Sequence, residues 1–196
     1  MEKFKGKYRI ESARMQNWDY GWNASYFVTI CTQNREHYFG EIENNEMILS
    51  EIGKMADKYW YEIPEQFPFV KLDEFVVMPN HIHGIVVIDK QDDKRDGGDC
   101  CEHGRDAINR VSTGTKTINI GGFSGIKNPM ITENLSKIIR WYKGRVTFES
   151  RKIHADFAWQ SRFHDHIVRD DISYQRIKNY IINNPKKWDE DKFNGN

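Results

Sequence analysis

The run Glu74-Phe75-Val76-Val77-Met78-Pro79-Asn80-His81-Ile82-His83-Gly84-Ile85-Val86-Val87-Ile88 constrains this chain more than any other. Two apolar, β-branched stretches meet at Pro79-Asn80, so the segment predicts two adjacent antiparallel strands joined by a turn. Side chains at i and i+2 of a strand share a face, so His81 and His83 stand side by side while Ile82 points the other way. Paired imidazoles pack a sheet poorly but are good ligands for a divalent metal. Two surface histidines at the start of a strand have the same spacing, and the pair alone does not separate the two readings.

A chain of 196 residues with 29 basic and 29 acidic side chains suits one domain over 1–196 with a polar surface, and zero net charge argues against bulk attraction to nucleic acid while leaving local patches open. No apolar run reaches the roughly 20 residues of a membrane span. The charged start, Met1-Glu2-Lys3-Phe4-Lys5, lacks the apolar stretch of a secretory signal. Three cysteines, Cys31, Cys100 and Cys101, make no disulfide framework and fit a reducing cytoplasm.

Tyr26-Phe27-Val28-Thr29-Ile30-Cys31-Thr32 reads as a strand, and Glu43-Asn44-Asn45 as a hairpin turn. Ser50 is placed to cap a helix over 50–61, with Ile52, Met55, Ala56 and Tyr59 on one face and Pro64 ending it. Segments 69–78 and 83–89 are expected to be the two central strands. The charged, glycine-rich stretch at about 90–130 reads as a flexible insertion, and Cys100, Cys101 and His103 within it match no usual zinc spacing. Thr132 is expected to cap a helix over 132–148, whose Lys137, Arg140, Lys143 and Arg145 form either a solvated face or a phosphate-binding patch. Segment 163–168 reads as a last strand or edge. The final helix runs over about 171–184 and stops at Pro185. The order β-α-β-β-α-β-α with antiparallel neighbours predicts an α+β, ferredoxin-like antiparallel sheet with helices packed on it.

Tyr180 and Asn184 lie four residues apart on that final helix and so share a face. A phenol can act as a nucleophile when its developing charge is stabilised, and an amide oxygen can be a third metal ligand, leaving room for a phosphate oxygen at Mg²⁺ or Mn²⁺. The same residues also read as a packing tyrosine and a helix stop before proline.

The segment Val76 to Ile85 resembles the His-hydrophobic-His motif of single-tyrosine HUH transposases. With Trp159-Gln160, then Phe163-His164-Asp165-His166-Ile167-Val168-Arg169, then Arg176 through Tyr180 to Pro185, the chain resembles the REP-associated tyrosine transposases. The likeness runs from Tyr26 to Trp188 and leaves out the insertion. It implies that His81, His83 and Asn184 hold Mg²⁺ or Mn²⁺, though the family's third ligand is often Gln. It implies that Tyr180 cleaves and rejoins single-stranded or hairpin DNA through a 5′-phosphotyrosine link, with His166 orienting phosphate or Tyr180. Lys137, Arg140, Lys143, Arg145 and Arg169 would meet DNA phosphates, and Trp141, Tyr142, Trp159 and Phe163 would offer stacking surfaces. The chain is expected in the cytoplasm and off the membrane, and the sequence leaves open a monomer or a homodimer with exchanged tyrosine helices. The alternative is a domesticated hairpin-binding protein that no longer cleaves. A histidine-triad hydrolase would need a third histidine where Ile85 stands, and the aromatic pattern of a sheet-based RNA-binding module is not evident.

Overall fold

The computed structural model describes residues 3–4, 7–8, 15, 18–91 and 133–194. Its strands are β1 (Lys3–Phe4), β2 (Lys7–Tyr8), β3 (Ala24–Cys31), β4 (Gly40–Glu43), β5 (Glu46–Leu49), β6 (Val70–Met78), β7 (His81–Ile88) and β8 (His164–Val168). Its helices are α1 (Glu51–Tyr61), α2 (Ile63–Gln66), α3 (Leu135–Ser150) and α4 (Asp171–Asn183), followed by a 3₁₀ segment, Pro185–Glu190. The expected insertion, with Cys100, Cys101 and His103, lies outside the described residues except at its first two positions, and so does Thr132.

Four strands form one antiparallel sheet in the order β6-β7-β3-β8, the ferredoxin-like arrangement expected from the sequence. Pro79-Asn80 turns β6 directly into β7. One expectation is corrected. The central strands are β7 and β3, and β6 is an edge, because β7 pairs with β3 on its other side and so separates β6 from the middle. The interior position of β3 fits its aromatic and β-branched sequence, in which Tyr26, Val28 and Ile30 are fully buried.

Alternation on the two central strands assigns each face of the sheet. Tyr26, Val28 and Ile30 of β3, with Ile82, Val86 and Ile88 of β7, turn to the side covered by α1 and α3 and form the main core with Trp60, Ile138, Ile139 and Tyr142. Each large apolar side chain fully buried there contributes about 1.5–3 kcal/mol. Gly84 is required on this side, because a Cβ at that position would stand 2.3 Å from the Trp60 ring. The other face carries His81, His83 and Ile85 and is roofed by α4.

The helix ends follow ordinary capping chemistry. Ser50 Oγ accepts from Gly53 N at 3.0 Å, and Asp170 Oδ1 accepts from Ser173 N at 2.7 Å. For α3 the cap is Asn134, whose Oδ1 accepts from Lys137 N at 3.1 Å, so the helix starts later than the sequence suggested. Pro64 does not end α1; it occupies the first turn of the short helix α2, where its missing N–H is no loss. The hairpin β4–β5 turns at Asn44-Asn45, both in the left-handed region with φ of 50° and 66°.

Candidate metal and tyrosine site

Cross-strand register sets the first half of the site. Thr29 pairs with His83 and Cys31 with His81, so β3 supplies neighbours for both imidazoles. The two rings lie 4.5 Å apart, with 0% and 1% of their surface exposed. Asn80 Nδ2 donates to the carbonyls of Arg35 and Phe193 at 3.2 and 2.8 Å, which turns its Oδ1 towards His81 Nδ1 at 2.9 Å. An amide oxygen only accepts, so His81 carries its proton on Nδ1 and presents a lone pair at Nε2. That Nε2 is buried with no hydrogen-bond partner among the described residues. His83 Nδ1 meets Thr29 Oγ1 at 2.9 Å, and its Nε2 lies 3.2 Å from Tyr180 Oη.

The second half comes from α4. Ile177 and Ile181 pack on Ile85, with Phe27, Val76 and Val168 around them, and this seats the helix over the histidine face. Tyr180 is 40% exposed, whereas the two imidazoles are buried. Asn184 keeps helical backbone angles, so it follows Tyr180 on the same stripe. It is 2% exposed; its Nδ2 donates to Asp191 Oδ2 at 3.1 Å, and its Oδ1 is buried without a partner among the described residues. Asp191 sits just after the 3₁₀ segment. Its carboxylate and the two imidazoles each offer a ligand atom within 4.8 Å of the others.

His81 Nε2 and Asn184 Oδ1 are buried lone-pair atoms with no hydrogen-bond partner among the described residues, and a bound cation would satisfy both. The donor set of imidazoles, an amide oxygen and a carboxylate suits a divalent cation. Electrostatics agree. Burial first, and then the positive charge of Arg35 and Lys192, lowers the His81 pKa to about 3. Burial and then His81 hold His83 well below the ordinary imidazole value. Both rings are therefore neutral at physiological pH, the form that binds metal. The Tyr180 phenol is pushed up to about 12, by burial and then by the charge of Asp191, so it needs help to ionise.

The site opens into a cleft of about 1110 Å³. Phe27, Phe163 and Phe193 line its apolar wall, and Arg35, Arg162, Arg176, Lys187 and Lys192 give it a basic rim. The sequence reading missed this rim and Asp191, because these residues are scattered over loops and helix ends and form no run. Of the residues singled out in the sequence, the structure brings His81, His83, Tyr180 and Asn184 together. His166 sits on β8 opposite Phe27, on the same sheet face, but it is exposed and lines a neighbouring pocket of about 410 Å³ with Arg169 and Arg176. His164, not His166, lines the main cleft.

Lys137, Arg140, Lys143 and Arg145 stand on α3, which buries Leu135, Ile138 and Ile139 in the main core, so the sheet lies between them and the histidine pair. Lys137 is ion-paired with Glu133 at 3.9 Å, Arg145 stacks 4.9 Å over the Tyr59 ring, and Lys143 Nζ donates to the Gln160 carbonyl at 2.6 Å. Among the aromatics, Tyr142 is fully buried with its hydroxyl on the Ala56 carbonyl at 2.9 Å, which removes it as a stacking surface. Trp141 and Trp159 are packed against the core, and Phe163 faces the cleft. No helix among the described residues is long and apolar enough to cross a membrane.

No family model matches the chain. It is 34% identical over 189 residues to an uncharacterized protein of Haemophilus influenzae, covering 96% of this chain and 94% of that one. Among solved structures it is similar to a REP-associated tyrosine transposase bound to a REP hairpin, with a TM-score of 0.55 and 18% identity over 91% of this chain and 74% of that one. The chain belongs to the same family as the Haemophilus influenzae protein, and its fold is that of a REP-associated tyrosine transposase.

Proposed function

We propose that this protein is a metal-dependent single-strand endonuclease and transposase that acts on hairpin DNA through Tyr180. The observation that carries the reading is the meeting of Tyr180 Oη with His83 Nε2 at 3.2 Å, beside two buried acceptors that have no partner among the described residues. The fold shared with a transposase solved on a REP hairpin supports a hairpin as the substrate class.

His81, His83 and Asn184 would hold the cation, with Asp191 a further ligand within reach. The cation, when bound, supplies a positive charge that polarises the scissile phosphate. The chain's own residues do the rest. His83 Nε2, which meets the Tyr180 hydroxyl at 3.2 Å, is the ring nitrogen that would face a cation held there. Asp191, whose charge bears on the Tyr180 phenol, is the carboxylate nearest at hand to take its proton. Tyr180 Oη then attacks phosphorus, the P–O3′ bond breaks, and the departing oxygen is protonated to a free 3′-hydroxyl. The 5′-phosphate stays on Tyr180, and a second 3′-hydroxyl reverses the step on a new partner strand. Arg35, Arg162 and Lys187 on the cleft rim meet the backbone phosphates of the bound strand. Arg169, in the pocket beside the cleft, extends that contact towards a hairpin stem, and His166 orients phosphate beside it. Lys137, Arg140, Lys143 and Arg145, behind the sheet, would meet only DNA that wraps round to that side.

The test is a labelled single-stranded hairpin oligonucleotide incubated with the protein and Mn²⁺ or Mg²⁺, then resolved under denaturing conditions. Wild type forms a covalent protein–DNA adduct and Tyr180→Phe forms none. An adduct that survives in Tyr180→Phe overturns the assignment of the nucleophile. Hairpin binding by wild type without any adduct selects the non-cleaving alternative.

A further inference from the structure

A tight polar cluster outside the cleft sits between β6 and α4. β6 slips register between Leu72 and Phe75, a bulge at Asp73-Glu74 in an otherwise regular pairing with β7. Bulges re-aim side chains out of the ordinary alternation. Here the re-aimed Asp73 meets α4. Its Oδ2 accepts a short hydrogen bond from the Tyr174 hydroxyl, and its Oδ1 accepts from Lys178 Nζ at 2.8 Å and from Glu74 N at 2.9 Å. Lys178 also lies 3.7 Å from Glu74. One carboxylate thus takes three donors, two of them one turn apart on the same helix.

α4 needs such a tether. Its buried apolar contact rests on Ile177 and Ile181, while Ile172 and Ile182 are left exposed. Two isoleucines on an apolar sheet set the distance of a helix from the sheet but fix its roll poorly. A roll of about 20° at the roughly 5–6 Å radius of a helix with side chains moves a side chain by about 2 Å. Such a displacement of the reacting oxygen is enough to cost about a hundredfold in rate. The polar clamp through residues 174 and 178 resists that roll from the flank.

We propose that Asp73 is a positioning residue for the reaction, holding α4 through Tyr174 and Lys178 so that Tyr180 stands over the histidine pair. Asp73 touches neither the candidate ligands nor the phenol. The shifts within the cluster fit a formed clamp. Burial opposes ionisation of Asp73, but the hydrogen bonds from Lys178 and Tyr174 outweigh it and lower its pKa. The inference rests on the reading of Tyr180 as nucleophile, and the experiment separates the two.

Single-turnover adduct formation is measured at saturating hairpin DNA and Mn²⁺, together with hairpin binding by anisotropy and amide exchange along the chain. Asp73→Ala slows adduct formation by about tenfold to a hundredfold, leaves hairpin affinity within about twofold, and raises exchange in 174–183 while β3 and β7 keep their protection. Asp73→Asn, which keeps an acceptor, falls between. Adding Tyr174→Phe and Lys178→Met to Asp73→Ala causes no further loss, because the three act as one unit. An unchanged rate in Asp73→Ala, a fully additive loss, or an equal fall in hairpin binding and sheet protection overturns the proposal. If wild type forms no adduct, the transposase reading falls on its own, and the clamp is judged by exchange alone: unaltered protection of 174–183 in Asp73→Ala overturns it.

Discussion

His81 and His83 on β7 and His164 and His166 on β8 face the same side of one sheet, because β3 lies between the two strands and pairs Thr29 with both His83 and His164. The motif is the same and the face is the same, but the surroundings differ. β7 is interior, and its imidazoles are buried, hydrogen-bonded at Nδ1 and roofed by α4. β8 is an edge strand, and both of its histidines are exposed. A His-x-His pair becomes a candidate ligand set when the sheet removes water from it and a neighbour fixes the ring proton on the far nitrogen. Spacing alone supplies neither.

Exchanging the two pairs for alanine tests this contrast most severely. His81→Ala or His83→Ala removes a proposed ligand, and metal affinity read by calorimetry should fall by more than the roughly 10–100-fold lost with a hydrogen-bonded partner of a ligand, whereas His164→Ala and His166→Ala should stay within about threefold of wild type. Adduct formation follows metal affinity for the first pair. Equal losses at the two pairs would dissolve the distinction between them.

A smaller effect sharpens the comparison at its shared residue. Thr29→Val keeps shape and removes the group that meets His83 Nδ1, while leaving the backbone register to β8 intact. Metal affinity should fall by about 10–100-fold. Stability should fall by about 1–3 kcal/mol, the loss expected when a buried polar partner is left unpaired. Denaturant unfolding beside a metal titration separates the two terms. If affinity is untouched while stability drops, Thr29 supports the fold but does not orient the ring.

Much of this was legible before the coordinates. The strands 24–31 and 70–88, the helix capped by Ser50 and the helix 171–183 follow from patterns of two and of about four residues, which are local properties of the chain. So does the stacking of Tyr180 and Asn184 on one stripe. What was not legible depends on contacts between residues far apart in sequence. Register alone tells that Thr29 is the neighbour of His83, since the two are 54 residues apart. Asp191 follows a 3₁₀ segment whose return to the histidines no periodicity encodes. The basic run on α3 reads as a patch in one dimension, yet the helix uses its apolar stripe against the main core and so turns its charges away from the histidine face. The clamp at Asp73 arises from a bulge, which shows in the sequence only as a three-residue step from Leu72 to Phe75 in a two-residue alternation, and what the re-aimed Asp73 meets on α4 is set by contacts far along the chain.

The mildest expected effect concerns why α4 covers the first pair and not the second. Burial first, and then the hydrogen bond and charge of Asp73, raises the Tyr174 phenol to about 12. In the unfolded chain the same phenol titrates near its ordinary value of about 10. A group whose folded pKa is raised contributes stability that is fully present below the unfolded value and is lost as pH climbs through the folded one. The Tyr174 contribution is therefore intact up to about pH 10 and disappears between about 10 and 12. Lys178, raised chiefly by the same carboxylate, weakens in the same direction. Other buried phenols, Tyr26 and Tyr142, also lose their protons reluctantly, so the informative quantity is the difference between wild type and Tyr174→Phe. Urea unfolding at pH 8 should place the variant about 0.5–1.5 kcal/mol below wild type, the usual net worth of one hydrogen bond. At pH 11.5 the gap should narrow sharply, because the wild-type hydroxyl is then losing the proton it donates. A gap that stays constant from pH 8 to 11.5 would mean that Tyr174 stabilises α4 by packing alone, and the roof over the histidine pair would have to be explained without the clamp.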